Sequence, residues 1–240
     1  MALRIFTNLS SLNSQRAMQI NNARLGSSLE RIASGIRLQR SSDDIAAMSV
    51  SDALHGDAVA LRQGAKNLAD GFSLINTADG AVSEQASILI RLREITSQAA
   101  TGTIGDTERA TLHLEFSALR SEFDRIAATA EFNGRKLLDG SLSSGSSDTT
   151  VIQLGLDSSD NNRFNLNTEI NLSATTSSNL GFSTDSISTE TAALTAMSSL
   201  TTAIEKLSAI RGRIGAVQER LQYAKDHLNA TVENLNGAIS

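Results

Sequence analysis

The sequence predicts a mainly α chain, an elongated rod of long antiparallel coiled-coil helices with a small β-hairpin region. Three observations carry that prediction. The 240 residues contain no proline, where usage of about 5% would supply roughly a dozen. An interior proline kinks a helix at a cost of about 3 kcal/mol, so its absence suits long unbroken helices. Apolar residues recur every seven positions in two well-separated stretches. Between them, residues 140–188 turn to Ser, Thr, Asn, Asp and Gly with short alternating pieces.

The first segment, 1–42, reads as an intermittently helical amphipathic piece. Leu25, Leu29, Ile32 and Ile36 step by four, three and four, which lines one helix face, and Ile5, Leu9 and Leu12 do so more briefly. Gly26 and Gly35 weaken it by roughly 1 kcal/mol each. The segment is expected to need a partner in order to stay ordered. It holds Arg4, Arg16, Arg24, Arg31, Arg37 and Arg40 against Glu30 alone, a charge of +5 that leaves −10 for the rest of a chain whose net charge is −5.

The second segment, 43–139, opens on Ser41-Ser42-Asp43-Asp44, whose short oxygen-bearing side chains suit a helix N-cap. Leu54, Leu61, Leu68, Ile75, Val82 and Leu89 then repeat at intervals of seven. Ala58, Ala65, Phe72 and Ala86, four residues after their neighbours, read as the companion line of a coiled-coil seam. Asp79 interrupts that line, as a register-setting charge or one that meets a polar partner. Gly102, Gly105 and Asp106 end this helix and begin the next. Leu112, Phe116, Leu119, Phe123 and Ile126 carry the new helix to about 129, and Asn133-Gly134 marks a tight turn.

In 140–188, the pieces Val151–Leu156 and Arg163–Leu172 read as a small hairpin on loops; a disordered low-complexity excursion is the alternative. From 189 to 240 the helix returns. Its seam is Leu200, Leu207, Ile214, Leu221, Leu228 and Leu235, joined by Met197, Ile204, Ile210, Val217, Ala224 and Val232. A helix over about 43–99 would be roughly 85 Å long. A compact globule of this chain length is roughly 45 Å across. That mismatch is what predicts a rod.

Chemistry-bearing patterns are scarce. There is no cysteine, hence no disulfide, thiolate nucleophile or Cys-ligated metal. His55, His113 and His227 stand apart as solvated helix residues, and Asp157-Ser-Ser-Asp160-Asn161-Asn162 lacks the glycine and bidentate glutamate of a calcium loop. Glu108 and Glu115 share a helix face with no sign of a cleft. No HExxH, GxSxG, phosphate-loop or dinucleotide fingerprint occurs. Neither an enzyme nor a cofactor is expected. With few aromatics and an acidic balance, nucleic acid is not an expected partner. No apolar run is long enough to insert in a membrane, and the start lacks the apolar core of a cleaved signal. The triplets at Asn8, Asn171 and Asn229 are chance acceptor patterns. More helical seam than one small bundle needs, plus an unsatisfied N-terminal segment, suits a self-assembling structural subunit.

The same residues carry a resemblance. Ile5-Phe-Thr-Asn-Leu-Ser-Ser-Leu-Asn-Ser-Gln-Arg16, Leu29-Glu-Arg-Ile-Ala-Ser-Gly-Ile-Arg37, Ser42-Asp-Asp-Ile-Ala-Ala-Met-Ser49, Phe132-Asn-Gly-Arg-Lys-Leu-Leu-Asp-Gly140, Gly215-Ala-Val-Gln-Glu-Arg-Leu221 and Asn234-Leu-Asn236 resemble bacterial flagellins, in order along the chain. The resemblance implies a secreted protein of the extracellular flagellum. It would be exported by the type III apparatus, polymerise with copies of itself beneath a cap protein and beyond the hook-junction proteins, and serve motility. The middle, 140–188, would be a short variable region without large outer domains. The family pattern also continues into a terminal amphipathic helix that pairs with the N-terminal one, so a C-terminally shortened chain is expected, with 1–42 lacking that partner. A hook-junction protein is the rival, but junction proteins tend to carry proline where Ile45 follows Asp43-Asp44. The resemblance further implies a partner patch for the innate immune receptor Toll-like receptor 5, at Arg91, Ile95 and Glu115. Two departures stand beside it: Ile95 replaces a leucine, and Ile90 sits where receptor-active members often carry Gln.

Overall fold

The computed structural model describes residues 8–35, 42 and 44–239. The readings placed on Arg4, Ile5, Ile36, Arg37, Arg40, Ser41 and Asp43 lie outside them. The chain divides into two compact units, Met1–Val59 with Thr231–Ser240, and Ala60–Ala230. Both divisions fall inside long helices.

In the first unit, α1 is one continuous helix, Leu9–Ser34. Asn8 caps it, its side-chain oxygen accepting from Ser10 N and Ser11 N, and Gly35 ends it in the left-handed conformation at φ 70°. Asn8 is thus a helix cap as well as part of a chance triplet. No residue of α1 is buried. The long helix α2, Ile45–Ala99, begins here, with Asp44 Oδ1 accepting from Ala47 N at 3.0 Å.

The second unit holds the rest of α2, then α3 (Asp106–Thr129), four short strands, two short α-helices, a 3-10 turn (Asp160–Asn162), and most of α6 (Glu190–Ile239). Helix and a little antiparallel strand are what the sequence predicts. Within this unit α2 and α3 run antiparallel, because Gln85 reaches the Phe123 carbonyl while Arg91 reaches Glu115. The helices α2 and α6 are antiparallel by the same logic: Asn76 meets Gln218 and Asp79 meets Arg211. Asp79 is therefore a charge with a partner, 3.8 Å from the Arg211 guanidinium.

Along α2, Leu61, Leu68, Ile75, Val82 and Leu89 are buried and Leu54 is half-buried. Along α6, Leu200, Leu207, Ile214, Leu221 and Leu228 are buried and Leu235 half-buried. The companion line on α2 differs from the expected one. Ala58 is buried, but Ala65, Phe72 and Ala86 are only half-buried. The continuous second line runs three residues after the first, through Gly64, Gly71, Ala78, Gln85, Leu92 and Ala99, all buried. On α3, Arg109 shares the buried face of Phe116 and Phe123. It donates to the Ala99 and Ile104 carbonyls, which closes the connection from α2.

After α3, β1 (Glu131–Phe132) pairs with β2 (Arg135–Lys136). Asn133 and Gly134 both have positive φ, 51° and 77°, the backbone that a two-residue hairpin of this hand requires. Next, β3 (Val151–Gln153) pairs antiparallel with β4 (Arg163–Asn165), Ile152 opposite Phe164. The expected second strand stops at 165, because Asn165 caps a helical turn, α4 (Leu166–Ile170), by accepting from Asn167 N. Asn171 ends that turn at φ 43°. The hairpin lies on α2: Asn67 Nδ2 donates to the Gln153 carbonyl at 3.1 Å, the Leu154 carbonyl presses on Gly64, and the Ile152 side chain on Gly71. Its connecting loop is tied by Asp157 Oδ1, which accepts from Ser159 N, Ser159 Oγ and Asn162 Nδ2. The short helix α5 (Ser177–Leu180) leads into a strap that crosses α3. Asp124 accepts from Ser177 N and Oγ, Arg120 donates to the Asp185 carbonyl, and His113 Nδ1 accepts from Ile187 N.

Candidate interaction surface

Of the three positions expected to form a receptor patch, Arg91 and Glu115 meet and Ile95 lies apart. Arg91 leaves α2 at the edge that borders α3. Its Nε and Nη2 both donate to Glu115 Oε1, at 3.1 and 2.7 Å. Nη1 turns the other way along α2 and donates to Glu94 Oε2 at 2.7 Å. The side chains of Arg91, Glu94 and Glu115 are 48%, 67% and 42% exposed. Two carboxylates hold the guanidinium firmly protonated, Glu115 contributing most.

Ile95 does not join this surface: it is 1% exposed. Spacing of four places it near Arg91 in rotation. It equally places it beside Leu92, Thr96 and Ala99, all of them buried, and the packing of α2 takes it inward. A different pair of apolar side chains is open beside the charges. Ile90 and Leu114, the sequence neighbours of the two bridged residues, are 65% and 69% exposed. Their exposure could not be foreseen from the sequence, where each falls between core positions on a helix rich in apolar residues.

The remaining polar clusters serve the fold. Among the described residues no group of three His, Cys, Asp or Glu could hold a metal ion, and no helix is long and apolar enough to cross a membrane. Glu115, imagined from sequence beside Glu108, is engaged by Arg91 instead. His113 stacks on Phe116 and anchors the strap.

Comparison with known proteins agrees at both ends of the chain. Residues 5–143 match the bacterial flagellin N-terminal helical region, and residues 197–240 the bacterial flagellin C-terminal helical region. The B-type flagellin of Pseudomonas aeruginosa is 39% identical over 155 residues, 65% of this chain and 31% of that protein. The flagellin of Bacillus subtilis is 40% identical over 142 residues, 58% of this chain and 46% of that protein. This chain therefore spans less than half the length of those relatives. The crystal structure of Bacillus cereus flagellin superposes with a TM-score of 0.58 at 29% identity, over 68% of this chain and 88% of that one. A putative flagellar hook-associated protein from Vibrio parahaemolyticus shares the fold, with a TM-score of 0.65 at 14% identity, over 83% of this chain and 99% of that one. The N-terminal match alone takes in more than half of the residues, and the C-terminal match follows it in order: the chain belongs to the bacterial flagellin family.

Proposed function

We propose that this protein is a structural subunit that polymerises into the extracellular flagellar filament and serves motility. The observation that supports this best, beyond family membership, is α1. Met18, Leu25, Leu29 and Ile32 share one side of α1 and are all exposed, as are Leu9, Leu12 and Ile20 nearer its start, and large exposed apolar surface marks an interaction site. A helix of this kind has little reason to persist alone in water, since most helical stability comes from packing an apolar face. Neighbouring subunits supply that packing. Export through the type III apparatus, capping, and joining to the hook-junction proteins belong to the same reading. The protein acts by assembling, not by catalysis.

A second role rests on a separate observation, the Arg91–Glu115 bridge with exposed Ile90 and Leu114 beside it. It is recognition by Toll-like receptor 5 through Arg91 and Glu115, with Ile90 and Leu114 taking the apolar part first expected of Ile95. Arginine suits the centre of such a contact, because its planar fork and long stem combine hydrogen bonds with burial.

Electron microscopy of the chain incubated with sheared flagellar seeds in sulfate salt tests the assembly role. A parallel sample carries an added C-terminal amphipathic helix. Filament growth from either sample is the expected result. Growth from neither removes filament formation as the function.

A further inference from the structure

Between α5 and α6 the chain is fixed at both ends and lightly held in the middle. Gly181 closes α5 in the left-handed conformation at φ 95°, and Phe182 is fully buried, edge to face against Phe123. At the other end Thr189 caps α6, its Oγ1 accepting from Ala192 N at 3.2 Å. Between these anchors the 183–188 strap is reached by side chains of the flanking helices. Arg120 of α3 donates to the Asp185 carbonyl at 3.0 Å, Ser199 of α6 donates to Asp185 Oδ1 at 3.5 Å, and His113 of α3 accepts from Ile187 N through Nδ1 at 3.4 Å.

The last contact depends on a side chain of the type that changes charge near neutrality. A histidine Nδ1 accepts only in the neutral ring, with the proton on Nε2. The ring lies stacked on Phe116, centroids 6.4 Å apart and planes 16° from parallel, which keeps Nδ1 on the strap. Ile187 is fully buried, so its N–H has no water to turn to. A proton on Nδ1 would set one donor against another. It would also bring a second cation to the Phe116 ring, over which the Arg120 guanidinium already lies at 6.0 Å. We infer that His113 is a proton-operated latch: neutral, it holds the 183–188 strap on α3, and protonated, it lets the strap go. The latch acts within one subunit and needs neither assembly nor a receptor.

The charged groups around the ring fix the sign. On α3, Arg109 one turn earlier is buried and donates to the Ala99 and Ile104 carbonyls, so a protonated His113 would add to positive charge already there. Glu115 of the same helix is engaged by Arg91 of α2. On α6, the Glu190 carboxylate turns to the α2–α3 connection, 3.8 Å from where a Cβ at Gly102 would stand. On the strap itself Asp185 works in the opposite direction from His113. Burial pushes its carboxyl above the ordinary aspartate value, so acid relieves the cost of its buried charge and tightens the strap. Loosening on acidification is therefore the mark of His113.

Hydrogen exchange read by mass spectrometry on the full chain, at about pH 5 and about pH 8, tests the latch once the intrinsic pH dependence of exchange is divided out. Peptides over 183–188 are expected to lose protection roughly tenfold at the lower pH, the scale of one buried hydrogen bond left unmade, while peptides over 68–89 of α2 stay protected. His113→Asn sets a carbonyl oxygen near the place of Nδ1 and takes up no proton. His113→Phe offers no acceptor at any pH. Both variants are expected to show the same strap protection at the two pH values, high in the first and low in the second. Asp185→Asn is expected to keep the parent's acid response. Equal protection of the parent's strap at both pH values overturns the latch. So does acid loosening that persists in both His113 variants. Loosening of 68–89 together with the strap overturns it as well, because acid would then be unfolding the unit as a whole.

Discussion

At the scale of single residues, the groups that matter most to the 60–230 unit are polar and buried. Asn167 is 1% exposed and makes four hydrogen bonds: its Nδ2 donates to the Ser141, Ser143 and Asp148 carbonyls, and its Oδ1 accepts from Thr150 N. It organises a loop that would otherwise leave backbone groups unpaired. Asp185 is the opposite case. Its Oδ2 is buried with no partner and its Oδ1 sits 3.5 Å from Ser199 Oγ. Burial pushes its carboxyl above the ordinary aspartate value, against weaker opposing pulls from the Ser199 hydroxyl and the Arg120 charge. A group whose folded value is raised binds its proton more tightly in the folded state, so it favours folding increasingly as pH falls through that value. At neutral pH the charged form is the costly one. Asp185→Asn should therefore raise the melting temperature at pH 7, with the gap between variant and parent closing as the pH is lowered into the acid range. Calorimetry at a series of pH values checks this, and a gap that widens on acidification contradicts it. Neither residue was legible in the sequence. Asn167 and Asp185 lie in a stretch rich in Asn, Asp and Ser, where nothing in the residue types separates a buried organiser from a solvated turn. Of the three positions expected to form a receptor patch, two come together in the fold and one does not. Arg91 and Glu115 meet as expected, while Ile95 faces inward because i, i+4 spacing does not say which edge of a face the neighbouring helix will cover.

Among elements, α2, α3 and α6 were readable to within a few residues, since period and breakers agree at each end, whereas α1 is continuous where an intermittent helix was expected. Helix α3, expected to run from about 106 to 129, does so, and α6 begins at Glu190 beside the expected 189. The companion line of α2 was misread for a physical reason. Its true members include Gly64, Gly71 and Gln85, which a search for large apolar residues passes over. Gln85 is there because its Nε2 bridges the Phe123 and Thr175 carbonyls, at 3.1 and 3.0 Å, joining α2 to α3 and to the segment before α5. The glycines are there because the β3–β4 hairpin sits directly on α2. A Cβ at Gly64 would collide with the Leu154 backbone carbonyl, which cannot rotate away as a side chain can. Gly80, on the same helix, has nothing within 4 Å of the position its Cβ would take. The two sites should respond in opposite ways to the same change. Gly80→Ala is expected to stabilise the chain by about 0.5–1 kcal/mol, the ordinary helix-propensity gain. Gly64→Ala is expected to destabilise it by about 1–3 kcal/mol as the hairpin is forced off the helix. Denaturant titration of both variants decides the matter. Gly64→Ala as stable as Gly80→Ala would mean that the hairpin does not rest on α2.

For the molecule as a whole, the buried core and the exposed apolar side chains of α1 lie in different parts of the sequence. The apolar core of the 60–230 unit is self-sufficient in kind: Phe123 meets Phe182 edge to face with ring centres 5.2 Å apart, and Phe116, Leu142, Leu172 and Ile187 are fully buried. By contrast α1 buries nothing, and its large apolar side chains lie open to solvent, Leu9 at 72% and Ile32 at 78%. Hydrophobic burial contributes roughly 25 cal/mol per Å² only where surface leaves water. On that basis α1 adds little to the stability of an isolated chain, and under the proposed assembly its exposed apolar side chains would be the surface that leaves water. Removing residues 1–42 should therefore leave the main thermal transition of the monomer within about 2 °C of the parent, because on the order of 1 kcal/mol in stability corresponds to a few degrees for a chain of this size. The shortened chain should also lose the ability to extend sheared flagellar seeds. Calorimetry and electron microscopy on one preparation read both outcomes. A large drop in the transition temperature would show that α1 packs into the monomer and that assembly has another origin. Seeded growth without residues 1–42 would place the driving contacts of the filament on the 60–230 unit instead.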